Sequence, residues 1–299
     1  MAYALSVASQ RVRRNLVGYA FVSPWIVGFL VFTLWPFLRS IQLSFTRYNI
    51  VSPPRPVGLA NYRILLTDDP MFWKSLQVTL TYTVMSVPLG ILAGVGIALL
   101  LNIEIKGMAI WRTVFYLPSV VPAVAGSLLF VWIFNPQVGL INVVLRTFGI
   151  IGPSWLTDPK WALPSLVIHS LWGVGGSMVI YLAGLKDVPR ELLESSTLDG
   201  ANAWHRTRRI TLPLLTPVIF FNLVMGVIGA FGTFTNAYIM TNGGPDGATM
   251  FYALYLYQRA WLYLDMGYAS AMAWVLFAIV VTLTAVVFRT GRRWVHYNA

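Results

Sequence analysis

Six stretches of this chain are too long and too apolar to fold in water. They cover about residues 16–38, 75–101, 113–134, 161–185, 212–239 and 266–288. Each is close to the roughly 20 residues that cross the hydrocarbon of a bilayer. Backbone in lipid must satisfy its own hydrogen bonds, so apolar runs of this length imply helices. Only 10% of the 299 residues are charged and 57% are hydrophobic, against about 25% charged in ordinary soluble domains. The expected fold is an all-α polytopic membrane protein, with six transmembrane helices forming one domain over 1–299.

The polar segments punctuate these runs. Arg11, Arg13 and Arg14 precede the first, as in a secretory leader. That apolar run is longer than a leader's and lacks a small-residue cleavage site, so it reads as an uncleaved span ended by Arg39. Residues 47–74 read as a Pro-rich outer loop, and Asn102 to Arg112, with Glu104 and Lys106, as a short turn. A piece over 138–148 reads as an interfacial helix, and 241–265 as a loop opening with Gly-Pro turns. Pro118 and Pro122 interrupt the third span, where neighbouring helices can satisfy the freed carbonyls. Gly90, Gly94 and Gly96 in the second span suit close helix packing.

The net charge of +11 invites a nucleic-acid reading, but in so apolar a chain basic residues mark membrane edges. Thirteen Lys and Arg fall in the two termini, the 102–112 turn and the 186–210 segment, against eight in the remaining loops. Basic short loops stay inside, so both termini and the central segment are expected in the cytoplasm. The chain has no Cys, which excludes disulfides and thiolate metal sites. His169, His205 and His296 are too scattered to suggest a metal centre. No Asp, Glu, Lys or Arg falls in mid-span. Carriers coupled to ions usually need such groups, so their absence argues for energy supplied from outside the membrane domain.

The segment between the fourth and fifth runs is where that energy can enter. Its sequence, ELLESSTLDGANAWHRTRRITLPLLTP from Glu191, reads as two short helices around a glycine corner. Pro189 suits a first helical turn, and Glu191 and Glu194 suit the positive end of the first helix. Gly200 can take the positive φ that ends it. A second helix is expected over 201–210, with Arg206, Arg208 and Arg209 at its C-terminus. A merely solvated basic loop is the plain alternative.

These residues resemble the EAA signature of ABC importer permeases. Glu194-Ser195-Ser196, Asp199-Gly200-Ala201 and Ile210-Thr211-Leu212-Pro213 match its Glu-Ala-Ala, Asp-Gly-Ala and Ile-x-Leu-Pro, with Ser-Ser replacing Ala-Ala. Val57 to Tyr62, Thr241 to Pro245 and Asp265 to Ala271 are similar to three further motifs of the sugar-type, maltose/lactose/glycerol-phosphate-like branch. The resemblance implies a permease subunit of a binding-protein-dependent sugar importer, with 186–211 as a cytoplasmic coupling loop. It implies a second homologous permease, two cytoplasmic ATPase subunits and an extracytoplasmic solute-binding protein, in a bacterial or archaeal inner membrane. The chain has no Walker A pattern, so it is expected to be a transport subunit without catalytic residues or cofactor, and without nucleic acid as a partner. The coupling set implied is Glu191, Glu194, Ser195, Ser196, Asp199, Gly200, Ala201, Ile210, Leu212 and Pro213.

In that family the helices flanking the coupling loop line a sugar path. Sugar sites combine apolar faces with a few neutral polar groups, and the fourth and fifth spans offer His169, Trp172, Gly173, Ser177, Asn222, Phe231, Thr233 and Asn236. On a continuous helix His169, Gly173 and Ser177 share a face at i, i+4 and i+8. Each has a plainer role open to it: His169 bonded within the bundle, Trp172 in packing, Asn222 as interhelical glue, Asn236 at the outer interface. The absence of a buried cation favours a neutral sugar over glycerol phosphate. The rivals are an ion-coupled secondary carrier and an intramembrane enzyme, which would need mid-span charges or a paired catalytic set.

Overall fold

The computed structural model describes residues 2–103 and 105–296, with side chains from residue 15 onward. Glu104 and the side chains of Arg11, Arg13 and Arg14 lie outside the described residues. In chain order the helices are α1 (Ala2–Phe29), α2 (Trp35–Ser44), α3 (Ala60–Arg63), α4 (Pro70–Leu101) and α5 (Met108–Val120). Then follow α6 (Ala123–Ile133), α7 (Leu140–Thr147), α8 (Pro159–Trp172), α9 (Gly175–Lys186) and α10 (Arg190–Leu198). The last are α11 (Ala203–Arg206), α12 (Leu212–Phe231), α13 (Thr235–Met240), α14 (Tyr252–Tyr257) and α15 (Met266–Gly291). One hairpin, β1 (Thr46–Asn49) with β2 (Ser52–Pro56), is antiparallel.

Four helical stretches are long and apolar enough to cross a membrane: Asn15–Ser44, Pro70–Leu101, Ala203–Phe231 and Met266–Gly291. Two more candidates are bent pairs, α5–α6 at 97° and α8–α9 at 48°. Six spans follow if each pair is one span; the third, expected to be interrupted at Pro118 and Pro122, runs on through Pro118 and breaks before Pro122, and the fourth, expected over 161–185, is bent within that range. Pro122 explains the first break. It disfavours the helical conformation for the residue before it, and Val121 is extended, at φ −67° and ψ 130°. In the second, Gly173 caps α8 and α9 restarts at Gly175. Gly175 lies against the Phe115 carbonyl and Tyr116 Cα of α5, where a Cβ would not fit.

The chain divides into two compact units. The smaller comprises residues 1–65 and 259–274. Its first helix runs past Arg39 to Ser44, through a π-turn at Leu30–Leu34. Pro36 explains that wider turn, since it offers no N–H and its ring crowds the carbonyl four residues back. Phe21 and Phe32 are more than 80% exposed, a surface that only lipid or another subunit can cover. The expected outer loop instead begins as the hairpin. Asn61 anchors it, its Nδ2 donating to the carbonyls of Ser44 at 2.8 Å and Thr46 at 2.9 Å. Tyr62 donates to Ser44 Oγ at 2.9 Å. Trp274 Nε1 donates to Ser40 Oγ at 3.1 Å, and the Arg259 guanidinium stacks 4.8 Å from the Tyr268 ring centre.

The larger unit, residues 66–258 and 275–299, is built around α4. Asp69 caps α4, its Oδ1 accepting from Met71 N and Phe72 N. Its Oδ2 accepts from Tyr255 of α14 at 2.5 Å. Buried Thr79 accepts from Tyr252 N at 2.9 Å, so α14 is fixed to α4 by two polar ties. The core lies along α4 in two clusters: Tyr82, Phe130, Phe134, Trp155, Leu166 and Phe251 in one, and Val95, Ala98, Met178, Tyr181, Leu182 and Leu215 in the other. The interfacial helix expected over 138–148 is α7. Its Asn142 accepts from Trp155 Nε1 at 2.7 Å and donates to the Pro136 and Pro153 carbonyls.

The fifth span also differs from expectation. Its leading helix starts at Ala203 and continues through a π-turn at Thr207–Thr211 into α12. Pro213 acts here as Pro36 does in the first span. Arg206, Arg208 and Arg209 therefore lie within a continuous helix, not at a C-terminus. At its other end α12 stops at Phe231, and α13 begins only after Phe234.

Candidate functional site

Two cavities flank the α8–α9 break. The first, about 400 Å³, is lined by Tyr82 and Ser86 of α4, Ser177 and Tyr181 of α9, and Asn222 of α12, with Thr233 just beyond it. The Tyr82 phenol faces the hydroxyls of Ser86, Ser170 and Thr233. Ser170 and Ser177 donate their protons to the carbonyls of Val167 and Val174, at 2.7 and 2.9 Å. Asn222 Nδ2 likewise donates to Val218 O at 2.9 Å. The serine protons are satisfied within their own helices, which leaves the serine oxygens and the Asn222 amide, with its oxygen and second N–H, to meet a guest. No charged side chain lines this cavity. Its chemistry suits a neutral ligand rich in hydroxyl donors.

The second cavity, about 290 Å³, is lined by His169, Trp172 and Asn236, with Pro118, Ser119 and Gly126 opposite. Asn236 Oδ1 accepts from Ser127 Oγ at 3.0 Å, and Asn236 Nδ2 lies 3.4 Å from His169 Nδ1. With its oxygen taken by Ser127, the amide donates to the histidine, so Nδ1 accepts and Nε2 carries the ring proton. The Phe130 ring meets that imidazole edge-on, centroids 4.7 Å apart at 88°. Ser170 and Gly173 line both cavities.

The expected substrate-path residues are thus divided. Ser177, Asn222 and Thr233 line the first cavity, His169, Trp172 and Asn236 the second, and Gly173 both. The helix break cancels the common face expected for His169, Gly173 and Ser177. Phe231 is 1% exposed and lines neither cavity; its side chain fills the core. Tyr82, Ser86, Ser170 and Tyr181 were not singled out from the sequence. Small hydroxyls in apolar helices look like packing until a cavity shows which way they face.

The 186–211 segment forms the expected corner. Pro189 caps α10 and Glu191 lies in its first turn. Gly200 takes φ +81°. Ala201 N donates to Ser196 O at 2.9 Å and Gly200 N to Thr197 O at 3.0 Å, which is a Schellman stop. Asn202 Oδ1 then caps α11 by accepting from His205 N at 2.8 Å, and Arg206 donates to Thr197 Oγ1 across the corner. A recess of about 470 Å³ opens between the two helices, lined by Ser196, Asp199, Gly200, Ala201 and Ile210 among others. Glu191, Glu194 and Ser195 are exposed, while Leu212 and Pro213 are half-buried at the start of α12. Leu198 is 90% and Trp204 69% exposed. Leu198 lies outside the stretches long enough to cross a membrane and Trp204 at the start of one; neither was singled out from the sequence.

A multi-span helical bundle with uncharged inner cavities and a structured polar corner has the architecture expected of a membrane transport subunit. The chain belongs to the family described as binding-protein-dependent transport system inner membrane component, which matches residues 86–295. It is therefore an inner-membrane permease of the ABC transporter class. It is 48% identical over 296 residues, 97% of this chain and 96% of the relative, to the probable ABC transporter permease protein YesP of Bacillus subtilis (strain 168). It is 33% identical over 285 residues, 94% of this chain and 96% of the relative, to the trehalose/maltose transport system permease protein MalF of Thermococcus litoralis. Among solved structures, one chain of a bacterial alginate ABC transporter, crystallised with alginate pentasaccharide-bound periplasmic protein, superposes with a TM-score of 0.84. That pair is 23% identical and covers 97% of this chain and 99% of the other, so it speaks to the fold.

Proposed function

We propose that the whole chain acts as one permease domain of a sugar importer, passing a neutral mono-, di- or oligosaccharide through the cavities beside α8 and α9. The observation that carries this reading is the first cavity, which Ser170, Ser177 and Asn222 line with neutral polar groups and no charged side chain. A sugar supplies the matching donors. The same lining disfavours a phosphorylated substrate, which would need a cation there.

The segment from Glu191 to Pro213 is the docking element for a cytoplasmic ATPase, and both termini lie in the cytoplasm with it. A second permease completes the path, a second ATPase completes the motor, and a solute-binding protein delivers sugar to outer loops such as the one at Gly243. Closure of the ATPases would push on the Gly200 corner, and α12 would transmit the motion because α11 continues into it without an end.

The test is sugar uptake by the assembled complex in liposomes. Asn222→Leu should lower uptake at least tenfold while the ATPase still co-purifies. Uptake that needed a proton gradient and no ATPase would sink the reading.

A further inference from the structure

The cleft between the end of α15 and α12 belongs to neither cavity nor to the coupling corner. It measures about 730 Å³ and is lined by Phe220, Ala285, Val286, Phe288 and Val295, with Arg289 and Arg292 at its rim. That volume lies within the roughly 300–1,000 Å³ typical of ligand sites. Its floor is aromatic: Phe220 and Phe288 meet edge-on with centroids 5.0 Å apart, and Trp294 lies 6.0 Å from Phe220. Gly291 closes one end, where an added Cβ would come within 2.5 Å of the Phe220 ring. The tail is held against α12 beyond the cleft, His296 N donating to Thr216 Oγ1 at 2.9 Å.

Among the described residues no carboxylate balances the charge of the rim. Arg289 and Arg292 are both exposed. The nearest acidic residue in sequence is Asp265, and no carboxylate lines the cleft. Two guanidinium groups spaced i and i+3 over an apolar floor, at the end of a membrane span, match one kind of molecule. An acyl chain suits the floor and a phosphate diester suits the rim, because arginine pairs with phosphate through two parallel donors. Basic pockets at the ends of spans hold anionic lipid headgroups for the same reason.

We infer that this cleft binds an anionic phospholipid, its acyl chain on Phe220, Val286 and Phe288 and its phosphate between Arg289 and Arg292. A bound lipid would fix the tail over the start of α12, the helix that begins at the coupling corner. This role is independent of which solute the permease carries.

The test uses the full chain purified with its partner subunits in neutral detergent. It is titrated with phosphatidylglycerol, phosphatidylcholine or inorganic phosphate, with bound molecules counted by native mass spectrometry. Phosphatidylglycerol should be retained in preference to phosphatidylcholine. Arg289→Gln with Arg292→Gln should weaken it on the order of thirtyfold, since each basic group at a membrane surface contributes about fivefold. Arg47→Gln with Arg55→Gln, which removes equal charge elsewhere, should leave binding unchanged. Should the glutamine pair fail to fold, two further variants decide. Arg289→Lys with Arg292→Lys should keep the preference, and Ala285→Trp, which fills the cleft and keeps its charge, should abolish binding. Equal retention of both lipids, unchanged binding in Ala285→Trp, or phosphate binding as tightly as the lipid would each overturn the proposal. So would lipid bound by the isolated chain but absent from the complex, since the cleft would then be a subunit interface.

Discussion

Gly94 of α4 packs directly against the ring of Tyr181 on α9. A Cβ added at Gly94 would lie 2.8 Å from Cε2 of Tyr181 and 3.1 Å from Oγ of Ser177. Tyr181 is fully buried, so the ring cannot swing aside. The two helices approach through the absence of a side chain, as small residues permit in membranes.

Gly94→Val should therefore destabilise the larger unit by about 1–3 kcal/mol, the usual cost of overpacking a filled core. Gly96→Val should be nearly silent, because nothing lies within 4 Å of its added Cβ. Thermal unfolding of the two variants in the same detergent checks this, and equal losses would contradict the contact.

Tyr181 gives the converse case. Its hydroxyl is buried and has no hydrogen-bond partner, yet the residue lines the first cavity. An unsatisfied buried polar group is costly. Tyr181→Phe should leave stability unchanged or raise it by up to about 1 kcal/mol. If the hydroxyl serves passing solute, the same variant lowers transport. The pair of measurements separates the roles, and a loss of stability would mean that the phenol has a partner after all.

How far the sequence foretold this arrangement varies from place to place. The spans follow from hydropathy because lipid leaves the backbone one local solution. The glycine corner follows because Asp199-Gly200 between two amphipathic pieces has one common geometry. An interruption of the third span follows from Pro118 and Pro122, but not that Pro122 breaks it while Pro118 stays helical, nor the break at Gly173, since proline and glycine bend some membrane helices and leave others nearly straight; Pro88 sits inside unbroken α4. Likewise Gly90, Gly94 and Gly96 look alike in sequence, and only the crossing with α9 singles out Gly94. Asn236 was readable as polar and intramembrane, but its two partners are 109 and 67 residues away.

That bridge gives a third prediction. Asn236 ties α13 to Ser127 of α6 and to His169 of α8. Asn236→Leu removes both bonds and leaves the imidazole acceptor unmatched, which should cost about 1–2 kcal/mol. Asn236→Ala combined with His169→Ala should cost less than the two single losses added together, because the residues share one network. Strict additivity in that double-mutant cycle would show that the bridge is not made.

The corner at Gly200 allows stability and coupling to be read separately. Its φ of +81° is unfavourable for a side chain, but the space around it is open. Substitution therefore acts through the backbone alone. Gly200→Val should cost about 1–2 kcal/mol locally, and Gly200→Asn less, since asparagine tolerates this region better. Because the corner lies outside the spans, the chain should still insert, and the expected losses are ATPase co-purification and sugar-stimulated hydrolysis. Valine and asparagine variants that coupled as well as the parent would argue that the corner does not dock.

Orientation can be tested cleanly because the chain has no Cys. Ser195 lies exposed on α10, and Ile151, after α7, is 94% exposed. On the charge distribution, the first faces the cytoplasm and the second the outside. Single variants Ser195→Cys and Ile151→Cys should each be reachable by a membrane-impermeant maleimide from one side only. In right-side-out vesicles Ile151→Cys should label at once, and Ser195→Cys only after the membrane is opened. The reverse pattern would place the termini outside and remove the ATPase from reach of α10. Labelling of both sites in sealed vesicles would mean that an even number of crossings separates them. The bent pair α8–α9, the candidate span between the two sites, would then be re-entrant, and the six-span topology would be lost.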